Sequence, residues 1–177
     1  MKKNIISAAI LLSVSSLGMS VNAAEIQFNG TVTASSCKLV DNENLVMQLP
    51  TVGITDVKDV GLHSGVTTLS ASVQCENAKT DGLVTMALMP NKLETKGKVL
   101  LNTAEGDTAA KGVGIVVMGT DGNPLDFSSG DNAKITAPMT SGNANILISA
   151  TYAKDGTGDE ITGGDVTAVL PFAMTYE

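Results

Sequence analysis

The last twelve residues, Val166 to Glu177, read VTAVLPFAMTYE, and every second one is apolar: Val166, Ala168, Leu170, Phe172, Met174 and Tyr176. Side chains of a β-strand alternate between two faces, so this file predicts a strand with one face in a core. A strand this apolar belongs inside a sheet with a neighbour on each side. No residue follows it to form the next hairpin, so the pattern predicts a strand whose second neighbour comes from elsewhere. Pro171 within it has no N–H, which suits an edge position and weakens one ladder bond.

The same period of two recurs along the chain. Ile26, Phe28, Gly30 and Val32 alternate with Gln27, Asn29, Thr31 and Thr33, and Leu69, Ala71, Val73 and Cys75 alternate with polar residues. Further strands are predicted at Leu45–Leu49, Leu83–Met89, Val113–Met118 and along Ile146, Ile148, Ala150 and Tyr152. Val99–Leu101 reads as a short edge strand in an otherwise polar surface connection, Asn91–Gly112. Val52–Val66 reads as a long connection, and Ser128–Asn145 as loop-rich, with Pro138 against any helix. Asp121-Gly122-Asn123-Pro124 is a strong turn signal.

Outside the N-terminal segment no apolar i, i+3, i+4, i+7 pattern persists for three turns. Short strands joined by Gly and Asp turns predict an all-β, immunoglobulin-like β-sandwich. Seven strands complete the simplest version, and this chain falls one short, so the expected fold is incomplete and lacks its final strand.

Residues 1–23 are set aside as a secretory signal peptide, with Lys2 and Lys3 before an apolar run and Val21-Asn22-Ala23 as the cleavage pattern. Residues 24–36 then form an N-terminal extension leading into the first strand, and 37–177 one domain. The mature chain keeps nine lysines and no arginine against eighteen acidic residues, a net charge near −9. Such a charge disfavours nucleic acid and anionic membrane surfaces as partners, and no hydrophobic segment predicts membrane insertion. Cys37 and Cys75 are the only cysteines of an exported chain, so they are predicted to bond to each other. Closing that loop removes about 4 kcal/mol of unfolded-state entropy in the chain-entropy model.

Little in the sequence suggests catalysis. The single histidine, His63, lies in a Gly/Ser loop, which supports neither acid/base chemistry nor a multi-histidine metal site. Asp155, Asp159, Glu160 and Asp165 crowd one turn without the spacing of an EF-hand and read as solvated charge. Gly112, Gly114 and Gly119 flank a strand instead of opening a helix, so they do not form a phosphate-binding turn. The expectation is a protein that is not an enzyme and uses no cofactor or metal.

The two ends of the chain suit one another. An open edge along Val166–Tyr176 is an aggregation hazard unless another chain adds a strand to it. Ile26, Phe28, Gly30 and Val32 form a file able to fill that place in a second copy. Such a head-to-tail contact is heterologous and generates a filament.

The motifs IQFNGTV, SSCKL, GVGIVVMGTDGNPL and ISATYAKDGTG, running to a terminal AMTYE with a penultimate tyrosine, together resemble the pilin subunits of bacterial chaperone–usher fimbriae of the type 1 and P pilus kind. The resemblance covers essentially the whole mature chain. It implies a subunit held in the periplasm by a chaperone that lends a strand, then passed to an outer-membrane usher where the next subunit's extension replaces that strand. The product would be a surface fimbrium. By position, Ile26, Phe28, Gly30 and Val32 match the donor strand. Val166, Ala168, Leu170, Phe172, Met174 and Tyr176 match the acceptor edge and chaperone contact, and Glu177 would carry the gripped carboxylate. Only four residues precede Phe28 in the mature chain, fewer than in many shaft subunits of the family. A tip adhesin, a binding module of the same assemblies, is the alternative the sequence leaves open.

Overall fold

The computed structural model describes residues 36–40, 45–61, 65–77, 81–128 and 133–177, all within a compact unit spanning residues 33–177. The predicted signal peptide and the donor residues Ile26, Phe28, Gly30 and Val32 lie outside the described residues. The described residues form nine strands: β1 Ser36–Leu39, β2 Thr67–Glu76, β3 Asp81–Leu88, β4 Thr95–Lys96, β5 Val99–Leu101, β6 Val113–Met118, β7 Lys134–Thr140, β8 Asn143–Lys154 and β9 Phe172–Tyr176. All ladders between them are antiparallel, and no α-helix occurs among the described residues.

The sheet curls into an immunoglobulin-like sandwich. β7, β3 and β9 form one layer; β1, β2, β8, β6, β5 and β4 form the other, and the β7–β8 hairpin joins them. Between the layers lie Val84, Met86, Ile135 and Met139 from one side and Ala71, Val73, Leu100, Val117 and Ile146 from the other. Val84, Met86 and Ile146 are wholly buried. This core is aliphatic and sulfur-rich, as a chain with three Phe, two Tyr and no Trp requires.

Cys37 lies directly opposite Cys75 in the β1–β2 ladder, and the two are disulfide-bonded. Cys75 donates its N–H away from Cys37, to the Gly142 carbonyl (2.8 Å), whereas Val40 bonds across to Ser72 (2.9 Å). The cysteines therefore form a non-hydrogen-bonded pair, the arrangement that brings opposed side chains closest.

Three readings of the sequence are corrected. The loop-rich stretch 128–145 contains β7, in which Ile135, Ala137 and Met139 are buried while Lys134, Thr136, Pro138 and Thr140 are exposed. Pro138 is tolerated because its partner Leu83 exchanges its backbone bonds with Glu177, so the proline nitrogen faces away from β3. β5 is no edge, being paired on both sides by β4 and β6, with Val99 and Leu100 buried. Gly114 makes this close pairing possible, since a Cβ there would sit 2.4 Å from the Leu100 carbonyl oxygen. Residues 45–49 are extended but belong to no ladder among the described residues.

Candidate functional site

The apolar file of the C-terminal segment survives intact in the fold. Val166, Ala168, Leu170, Phe172, Met174 and Tyr176 all lie half-buried, and the residues between them are exposed. Only its second half is laddered, however. Among the described residues β3 is the one strand that pairs with β9, through Val84↔Tyr176, Met86↔Met174 and Leu88↔Phe172.

The polarity of that ladder fixes which way each backbone group points. Leu83 and Glu177 exchange both bonds (2.9 and 3.0 Å), and Met89 donates to the Pro171 carbonyl (2.8 Å). Positions 171, 173, 175 and 177 thus bond toward β3, while Phe172, Met174 and Tyr176 turn their N–H and C=O groups away from it. Pro171 falls on the inward set, so its missing donor removes a bond at the end of the β3–β9 ladder and none from the outer side. At the other end the Tyr176 ring lies over Gly82, where a Cβ would approach it to 2.6 Å and the Glu177 carbonyl oxygen to 2.5 Å. The chain end is thereby seated against β3.

Facing the first half of the file is the extended segment 45–49, where Leu45, Met47 and Leu49 are half-buried and Val46 and Gln48 exposed. The two segments wall a cleft of about 790 Å³, with Ile115 and Tyr152 contributing to its lining. Burial holds the Tyr152 hydroxyl above its ordinary pKa, so it stays neutral there. Below the cleft, an apolar groove of about 180 Å³ reaches the core between the layers, floored by Leu69, Met86, Leu100, Val117 and Ile148. Two edges with matched apolar files therefore flank a channel into the core. The alternation of residues 45–49 predicts a strand, and the structure makes of them an unladdered wall of the cleft.

The crowded acidic turn is explained locally. Asp155 accepts from the Thr157 N–H (2.8 Å) and hydroxyl (2.7 Å), which shapes the turn leaving β8. Gly112 and Gly114 serve a turn and a close strand contact.

Known proteins share this architecture. The profile of the family described as Fimbrial protein matches residues 26–177. A type-1 fimbrial protein subunit from Serratia marcescens is 27% identical over 97% of this chain and 96% of its own length. A fimbria adhesin protein from Klebsiella pneumoniae is 27% identical over 91% of this chain, which spans half the length of that adhesin. Among solved structures, a chaperone-usher pilus subunit superposes with a TM-score of 0.55 and 21% identity over 92% of this chain and all of its own. The CupB6 tip adhesin of Pseudomonas aeruginosa gives 0.59 and 21%, over 78% of this chain and 38% of the adhesin. With the profile spanning all but the first 25 residues, the chain belongs to the fimbrial protein family.

Proposed function

We propose that the protein is a structural subunit of a surface fimbria that polymerises by accepting a strand from another copy. The observation that carries this reading is the channel between residues 45–49 and 166–172, bordered by two half-buried apolar files with no strand between them among the described residues. A strand added there gains backbone bonds from the side of β9 turned away from β3 and places alternate side chains on the core. The donor is the file Ile26, Phe28, Gly30 and Val32 of the next copy, a head-to-tail contact that extends into a filament. Before assembly a periplasmic chaperone occupies the same channel and holds the Glu177 carboxylate, and an outer-membrane usher exchanges the strands.

The test uses the mature chain produced without a chaperone, to which a peptide of residues 24–33 is added. The expected outcome is that the chain alone aggregates or polymerises, whereas the peptide yields a monomer with a raised unfolding midpoint. A soluble monomer whose midpoint is indifferent to the peptide overturns the proposal. The likeness to part of two adhesins favours a second reading, a unit of a tip adhesin. Selective glycan binding by the peptide-stabilised monomer supports that reading, and its absence across a glycan array counts against it.

A further inference from the structure

The channel keeps its shape only if the unladdered half of the C-terminal file is held in place. Its far end is fixed by the Met89 to Pro171 bond and the β3–β9 ladder. Between Thr167 and Pro171, residues 168–170 make no backbone hydrogen bond to another described residue. Their course, and hence the direction of Ala168 and Leu170 into the groove, depends on what anchors residues 165–167.

That anchor is built around one side chain just beyond β5. The Asn102 amide nitrogen donates to the Ala110 carbonyl and the Asp165 carbonyl, each at 2.9 Å. Its oxygen accepts from the Thr167 N–H (2.9 Å) and the Ala104 N–H (3.0 Å). All four hydrogen-bonding positions of the amide are used, and all four partners are backbone groups. Two partners are donors and two are acceptors, so only one orientation of the amide satisfies them. Thr103 adds a bond from its N–H (2.8 Å) and one from its hydroxyl (3.0 Å) to the Thr167 carbonyl, and Ala110 donates to the Asp165 carbonyl (3.0 Å). These neighbours reinforce the contact, but only Asn102 joins the β5 exit, the 108–110 loop and the C-terminal segment at once.

We propose that Asn102 is the positioning residue of the acceptor channel: by clamping residues 165–167 to the exit of β5 it suspends 168–170 at the spacing an incoming strand needs. This inference rests on the strand-accepting reading above. Aspartate at 102 keeps the shape but sets a carboxylate oxygen against two carbonyl oxygens, which removes both donated bonds and repels their acceptors. Serine keeps one short polar group able to meet one of the four partners.

The experiment measures capture of a fluorescent peptide of residues 24–33 by the full mature chain, together with amide hydrogen exchange. The variants are Asn102→Asp, Asn102→Ser and the exposed-turn control Asn123→Asp. The expected result is capture weakened tenfold or more by Asn102→Asp, less by Asn102→Ser, and not at all by the control. Exchange should quicken at Thr167 and residues 168–170 while the β2–β8 ladder keeps its protection. Should Asn102→Asp fail to fold, Asn102→Ser decides by the same readouts. Undiminished capture by the Asn102 variants overturns the proposal, as does protection lost equally in β2–β8, which marks a merely structural role. If the wild-type chain captures no peptide, the strand-accepting reading fails, and the exchange pattern alone judges whether Asn102 holds residues 165–170.

Discussion

β8 and the C-terminal file have nearly the same sequence pattern but different surroundings. β8 alternates from Asn143 to Ile148 and is covered on both faces beyond it, while the file alternates from Val166 to Glu177. β8 is laddered to β2 on one side and to β6 and β7 on the other, and Ile146 at its centre is 0% exposed. The C-terminal file has β3 on one side over residues 172–176, and every apolar residue in it stays half-exposed. Alternation therefore reports that a face seeks a core, and leaves open whether the chain itself completes that core.

The sharpest way to break this comparison is a matched pair of truncations. Ile146→Ala removes a fully enclosed side chain and is expected to cost about 3 kcal/mol by urea unfolding, with or without the 24–33 peptide. Leu170→Ala removes a half-exposed one beside an open channel, where no closed cavity is left behind, and should cost about 1 kcal/mol in the free chain. With the peptide present its cost should rise toward that of Ile146→Ala. Equal costs in the free chain would show that the groove is already filled.

A smaller effect is expected at the laddered end of the file. In Gly82→Ala the new methyl meets a backbone carbonyl as well as the Tyr176 ring, so the chain end must move and its exchange of bonds with Leu83 is lost. A loss of about 2 kcal/mol is expected, with hydrogen exchange quickened in 172–177 and unchanged in β8. Uniform loss of protection would mean that the two regions are not separable.

The smallest effect lies in the β1–β2 pair of the other layer. Lys38 donates to Glu76 across β1–β2, and that hydrogen bond, then its charge, holds the exposed Glu76 carboxyl below the usual carboxylate range. Lys38→Met should let the Glu76 titration rise toward its ordinary value by NMR and leave the neutral-pH unfolding midpoint nearly unchanged. A depressed carboxyl contributes stability above its unfolded pKa and loses it as pH falls through the folded one. Wild type and variant should therefore converge in acid.

The strands that could be read in the sequence are those whose apolar residues are large and close together. β2, β3, β6 and β8 follow from Leu69 to Cys75, Leu83 to Met89, Val113 to Met118 and Ile146 to Tyr152. β7 escaped because its buried file contains the small Ala137 and its exposed file contains Pro138. β5 looked like an edge because its outer partner β4 is two residues long and bears no apolar signal. At the site, the half-buried face of 166–176 was legible and the opposing wall at 45–49 was not, since a wall is a relation between segments. Asn102 was invisible for the same reason: its four partners are backbone atoms, which no side-chain pattern records.

The placement of Pro171 has a consequence for how the C-terminal strand can vary. Over residues 171–177, even positions carry the core-facing side chains and also the backbone groups turned outward; odd positions carry solvent-facing side chains and the bonds to β3. Two kinds of information are thus interleaved on one strand without sharing a residue. Surface chemistry can be rewritten at Ala173 or Thr175, and even a proline can be admitted at 171, without altering a core-facing side chain or a backbone group on the side of β9 turned away from β3. A lineage under pressure to change its exposed face could do so on the odd positions while the packing of the strand on the core stayed fixed on the even ones.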